Sequence, residues 1–191
     1  HMLGETYVDS LFDLLKKFGI KRYCLIGAMY DLMPYTRPLL ITGSASNLKL
    51  QKELQVAHVL PSDYQGPTTI AYLISQRAPQ IGIETLSLIV HLPQYLMMEN
   101  DYRGKKRLME VLSILYDLPL ADEDADKARE QQEQVAHIAE QFIQQEPSYR
   151  LILNQLEAYY DSRMGQAQEE TKLSPEVEKF LRDLGKRFRQ S

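Results

Sequence analysis

Residues 27–46, GAMYDLMPYTRPLLITGSAS, decide how the chain is read. Two apolar runs of strand length border the loop inside them, RYCLIGA (22–28) and PLLITGSA (38–45). An unbroken apolar run of this length is expected of a strand covered on both faces. The loop between them, YDLMPYTR (30–37), carries Tyr30, Asp31, Tyr35, Thr36 and Arg37. A segment this short cannot bury its own polar groups. They must therefore fix the loop, hold a ligand or meet another protein. Arg37 can clamp a phosphate or carboxylate with two parallel hydrogen bonds, or it can pair with Asp31.

On the N-terminal side, ETYVDSLFDLLKKF (5–18) is amphipathic, with Val8, Leu11, Leu14, Leu15 and Phe18 at helical spacing and Gly19 as a stop. On the C-terminal side, Asn47 can cap a short helix, LKLQKELQ (48–55). PSDYQGPTT (61–69) reads as a loop, and Pro67 fits the first position of a helix PTTIAYLISQRA (67–78) that ends before Gly82. IETLSLIVHLP (83–93) is a third buried-looking strand, and a helix is expected from Tyr102 to Tyr116. Strands alternating with helices imply an α/β protein, a three-layer α/β/α sandwich with a largely parallel sheet.

From Asp122 the pattern turns wholly helical. DADKAREQQEQVAHIAEQFIQQ (124–145) has a stripe of Ala128, Val135, Ile138, Ala139 and Phe142, and SYRLILNQLEAYYDSRM (148–164) follows Pro147. The expected organisation is an α/β core at 3–120, a helical hairpin at 121–164, a polar linker at 165–173 and a last helix at 174–191. Ser174, Pro175 and Glu176 supply start signals for that last helix. The leading His1-Met2 reads as a cloning remnant, with Leu3 following a truncation point.

The 191 residues carry a net charge of −4, which argues against a general nucleic-acid binder. Residues 121–172 hold 12 acidic and 5 basic groups, but apolar residues are interleaved, as on solvated helix faces. The single cysteine, Cys24, forbids an internal disulfide and sits in an apolar strand as an inert thiol. No apolar run reaches bilayer-spanning length and no signal peptide opens the chain, so the expected location is the cytoplasm, with no membrane partner.

Walker A, G-x-G-x-x-G, H-E-x-x-H, G-x-S-x-G and CxxC patterns do not occur. If the strands are parallel, three loops gather at the carboxyl end of the sheet, where such sheets bind ligands. YDLMPYTR is one. TGSAS (42–46), with Thr42 and Ser44, is the second; its hydroxyls can hold an anion or merely turn the chain. YQGPTT (64–69) is the third. Tyr64, Gly66, Thr68 and Thr69 there precede a helix whose free N–H groups attract anions, or they only cap it. His91, at the end of the third strand, has the chemistry of a general base, but no serine or cysteine pairs with it clearly. His58 and His137 lack ligand spacing, and no metal or cofactor is assigned.

Taken together, GAMYDLMPYTRPLLITGSAS, YQGPTTI and IETLSLIVHLPQY closely resemble the proteasome assembly chaperone 2 family, whose bacterial and archaeal members often carry an ATP-grasp-superfamily label. The resemblance is strong over residues 5–120 and looser beyond. It implies a phosphorylase- or hydrolase-like α/β/α core, here lacking N-terminal strands, so that the chain is the C-terminal portion of a longer protein. It brings no catalytic residue set. The ending Arg189-Gln190-Ser191 departs from the hydrophobic-tyrosine-any tripeptide by which such chaperones dock. The expected function is a protein-interaction and assembly scaffold with protein partners and a homo-oligomeric state. The alternative is a nucleotide- or anion-binding protein, or an enzyme, with its site at the carboxyl ends of the strands.

Overall fold

The computed structural model describes residues 2–62 and 69–165. Helix α1 (Met2–Lys17) leads into strand β1 (Arg22–Asp31), strand β2 (Ile41–Ala45), helix α2 (Leu48–Val56) and strand β3 (Leu60–Pro61). Helix α3 (Ile70–Arg77), a 3-10 turn at Ala78–Ile81, strand β4 (Glu84–Pro93) and helices α4 (Tyr102–Tyr116), α5 (Asp122–Gln145) and α6 (Ser148–Gly165) complete the order. The fold is α/β. The sheet order is β1-β4-β2-β3.

The sheet is mixed: two of its three strand pairs are parallel, as expected, and the central pair is antiparallel. β2 and β3 run parallel, pairing Thr42 with Leu60 and Gly43 with Pro61. Glu84 N bonds Lys21 O and Gln94 N bonds Asp31 O, a constant offset that makes β1 and β4 parallel as well. β4 and β2 run in opposite directions: Ser46 N reaches Thr85 O, whereas Ser44 reaches Ser87. The end of β2 therefore lies beside the beginning of β4. The TGSAS turn does not join the loops that follow β1 and β4. At the crossing, Gly43 lets the strands close up: a Cβ there would sit 2.3 Å from the Ser87 carbonyl oxygen.

β1 is an edge strand, and most of its residues are half-buried or exposed rather than covered on both faces. An apolar run alone cannot separate a central strand from an edge strand. β2 begins only at Ile41, after Pro38 and the irregular Leu39 and Leu40. β3 was not expected, because Pro61 argues against a strand; at two residues on the other edge it is tolerated. Thr69 takes the N-cap of α3 and accepts a hydrogen bond from Tyr72 N, so the helix starts at Ile70 rather than at Pro67.

Two compact units divide the described chain. Residues 2–27, 40–62, 69–89 and 114–116 form the first; residues 28–39, 90–113 and 117–165 form the second. In the first unit, Val8 and Phe12 of α1 pack with Ile74, Ala78 and Ile83, with Leu11 and Leu15 alongside. Leu14 and Phe18, expected on that face, are 49% and 69% exposed. At about 100° per residue they sit on the neighbouring face with Tyr7, which is 58% exposed. In the second unit, Val135 and Ala139 of α5 pack with Leu153 and Leu156 of α6 and with Tyr35, Tyr95 and Leu96. Full burial of a side chain such as Leu156 stabilises by about 1.5–3 kcal/mol. The polar segment beyond Gly165 and the helix expected at 174–191 lie outside the described residues. Among the described residues, no helix is long and apolar enough to cross a membrane.

Candidate functional site: the loop after β1 and the basic groove beside it

The YDLMPYTR loop is pinned by the second unit's helices. Asp31 starts it. Its Oδ1 accepts from Leu32 N at 2.7 Å, and its Oδ2 accepts from His91 Nδ1 and Arg163 Nη1, both at 2.7 Å. Burial, the largest single effect on this carboxyl, favours its neutral form. The His91 and Arg163 bonds and the Leu32 amide together outweigh burial and hold the group well below the usual carboxylate range. The pairing of Asp31 with Arg37 considered from sequence does not form. Arg37 instead makes a two-pronged contact with Asp161, Nε to Oδ1 at 3.0 Å and Nη2 to Oδ2 at 2.9 Å, and touches Glu157 at 3.3 Å. Asp161 and Glu157 are four residues apart on α6, so one helix face presents both carboxylates to the loop. Thr36 Oγ1 also donates to Glu157.

The middle of the loop is held through its backbone. Tyr95 is 2% exposed, and its hydroxyl accepts from Tyr35 N at 2.8 Å while donating to Met33 O at 2.9 Å. Tyr35 O accepts from Arg103 Nη2 at 3.2 Å and Gln132 Nε2 at 3.1 Å. Most of the polar groups that made the loop look like a site are thus occupied in fixing it.

Of the residues singled out from sequence, the structure joins Asp31 to His91, and Thr36 and Arg37 to a shared Glu157. Tyr30 is exposed on the edge strand, and Tyr35 is buried in the second unit's core. Thr42 is buried in β2, and Ser44 bonds Ser87. Thr69 serves as a cap. Tyr64, Gly66 and Thr68 lie outside the described residues. The expected convergence of three loops fails for TGSAS because of the direction of β2. His91 is 4% exposed and oriented by Asp31. Cys24 is half-buried, and burial pushes its thiol up, away from the reactive thiolate.

Sequence reasoning missed Tyr95, Arg163, Glu157, Asp161 and the face of α4. Arg103, Lys106 and Arg107 stand three and four residues apart in YRGKKRLME, a spacing that puts them on one side of a helix. With Arg37, Arg129 and Glu110 they line a groove of about 500 Å³ floored by Pro38, Leu39, Ala125 and Ala128. Arg107 Nε donates to Leu39 O at 3.1 Å. Among the described residues, no group of three His, Cys, Asp or Glu side chains is placed to hold a metal.

The PAC2 family model matches residues 1–141. No curated protein matches the sequence. A Mycobacterium tuberculosis protein of unknown function superimposes with a TM-score of 0.69 at 24% identity, covering 95% of this chain and 60% of its own. A proteasome-assembly chaperone homologue from the same organism gives 0.61 at 18% identity, covering 70% and 56%. An archaeal homologue of proteasome-assembly chaperone from Pyrococcus furiosus gives 0.55 at 20% identity, covering 83% and 64%. At these identities the likeness concerns the fold. The chain spans 56% to 64% of the length of these three proteins.

Proposed function

The chain belongs to the PAC2 family, and from that premise we propose that it is a protein-interaction scaffold of the assembly-chaperone kind. The observation that carries this reading is the outer stripe of α1. Tyr7, Leu14 and Phe18, the last one residue past the helix and still bonded from its N–H to Leu14 O at 3.0 Å, fall within about 40° of one another at 100° per residue. All three are exposed, while Val8 and Phe12 on the adjoining face are buried. A surface helix needs one apolar face, and a second aligned stripe is a surface meant to be covered. Strand β1 adds exposed Ile26, Met29 and Tyr30 and, among the described residues, an outer edge with no strand paired to it. The names of the structural neighbours, two of them homologues of proteasome-assembly chaperones, support protein partners of that kind. An anion site in the YDLMPYTR loop is less well supported, because Asp31, Thr36 and Arg37 are already bonded within the protein.

Affinity capture from the source cell, with partners identified by mass spectrometry, tests the reading. Wild type is expected to recover a defined partner set. The Leu14→Glu/Phe18→Glu variant is expected to lose it with an unchanged melting temperature, since both side chains are exposed. Recovery of no specific partner by wild type sinks the scaffold; equal recovery by the variant moves the contact away from α1.

A further inference from the structure

We propose that the groove between the YDLMPYTR loop, α4 and α5 binds an acidic segment of a partner protein, with one carboxylate of that segment paired to Arg103. This rests on the reading of the chain as a protein-interaction scaffold and names the chemistry that one of its surfaces recognises.

The charge balance around the groove points to a carboxylate. Of its five cations, four already have internal partners. Arg37 holds Asp161 and Glu157, Lys106 and Arg107 share Glu110, and Arg129 pairs with Asp126. Arg103 is different. Its guanidinium donates to the Tyr35 carbonyl, and among the described residues it forms no ion pair. Burial lowers its pKa from the ordinary value and outweighs the opposing pull of the Asp101 carboxylate, so its charge is held at a cost that a directly bonded anion would relieve. A guanidinium that spends one N–H on a carbonyl keeps donors for the two oxygens of a carboxylate.

One guanidinium without an ion-pair partner fits one carboxylate better than a di- or triphosphate, which would have to strip the other arginines of their partners. The depth profile fits a peptide too. Arg129 and Lys106 side chains are 69% and 44% exposed, at the rim, where they steer an acidic chain without holding it. The small apolar floor of Ala125, Ala128 and Pro38 leaves room for a backbone to lie over it.

The test is fluorescence anisotropy of a fluorescein-labelled peptide acetyl-ALEELA-amide against its glutamine counterpart acetyl-ALQQLA-amide, with the full chain. The glutamate peptide is expected to bind saturably, at least about tenfold tighter than the glutamine peptide, and to weaken with added salt. Arg103→Met should cost at least about tenfold in affinity. Because Arg103 also supports the loop backbone, Arg129→Glu serves as a second variant. It lies at the exposed rim, leaves the fold intact and should weaken binding by several-fold. Equal affinity for the two peptides, or binding indifferent to both variants, overturns the proposal. So does tripolyphosphate that saturates the protein through Arg103 more tightly than the peptide, since the groove would then be a phosphate site. If wild type and Arg103→Met capture the same cellular partners while the peptide fails to bind, the groove assignment falls and the scaffold stands. If nothing is captured while the peptide binds, the scaffold falls instead.

Discussion

Tyr95 is the residue on which the loop after β1 depends. One hydroxyl satisfies a buried amide and a buried carbonyl on the same loop, at Tyr35 and Met33. Tyr95→Phe keeps the ring and leaves both groups unsatisfied, so it should cost about 1–3 kcal/mol in urea unfolding. A loss under about half a kcal/mol would mean that water replaces the hydroxyl, and that the loop is less fixed than its bonds imply. Asp31 sets the pH dependence of the same loop. Its folded pKa is depressed, so its contribution is present above the unfolded value of about 3.9 and decays as pH falls through that value toward the folded one. Between pH 5 and pH 3 wild type should therefore lose about 1–2 kcal/mol more stability than Asp31→Asn. Parallel acid profiles for the two proteins would assign the acid loss to other carboxylates. Asp31 and His91 were both visible in the sequence as candidates. Their contact was not, because the strands that bring them together are joined through 60 residues of chain. Tyr95 closes the stretch IETLSLIVHLPQY, but nothing local marked it as the residue that holds the loop.

At the scale of elements, local chemistry was readable and edges were not. Asn47 caps α2 through a bond from Leu50 N, and α4 runs from Tyr102 to Tyr116 as its pattern implies. Caps and periodicity act within a few residues, so they survive in sequence. Strand direction does not: nothing in PLLITGSA states that β2 opposes β4. The nearest local trace is Gly43, whose missing side chain the crossing requires. Gly43→Ala would set a Cβ 2.3 Å from the Ser87 oxygen and 2.9 Å from Val59 Cγ1. The oxygen belongs to backbone in the sheet and cannot swing aside, so the substitution should cost about 1–3 kcal/mol. Gly104→Ala is the control. Its Cβ would meet Leu92 Cδ2 at 2.8 Å, the end of a side chain that can rotate. Alanine also gains about 1 kcal/mol of helix propensity over glycine, which offsets the crowding. Thermal melting should separate the pair clearly; equal losses would mean that β2 can slide away from β4. The two faces of α1 make the same point about edges. Leu14 and Phe18 have the spacing of core residues, and only the packing of Val8 and Phe12 tells which apolar arc is buried.

For the whole molecule, the apolar stripe and the basic groove should answer to salt in opposite senses. A net charge of −4 is a weak barrier to self-association, and screening lowers it further. The stripe of Tyr7, Leu14 and Phe18 has no charge to screen, and sulfate strengthens apolar contact by being excluded from the surface. In the absence of another partner, the stripe is therefore expected to associate copies of the chain, more so in sulfate than in dilute buffer. Sedimentation velocity over a wide concentration range should show a rising weight-average mass that sulfate enhances and Leu14→Glu/Phe18→Glu abolishes. The glutamates act twice, by placing charge on the stripe and by making the net charge more negative. Lys49→Glu/Lys52→Glu, which changes the charge by twice as much on the exposed side of α2, separates these effects. If the α2 variant stays associated and the α1 variant does not, the stripe is the contact. A monomer at every concentration in sulfate would mean that the stripe is too small to hold a copy of itself and needs a larger complementary partner.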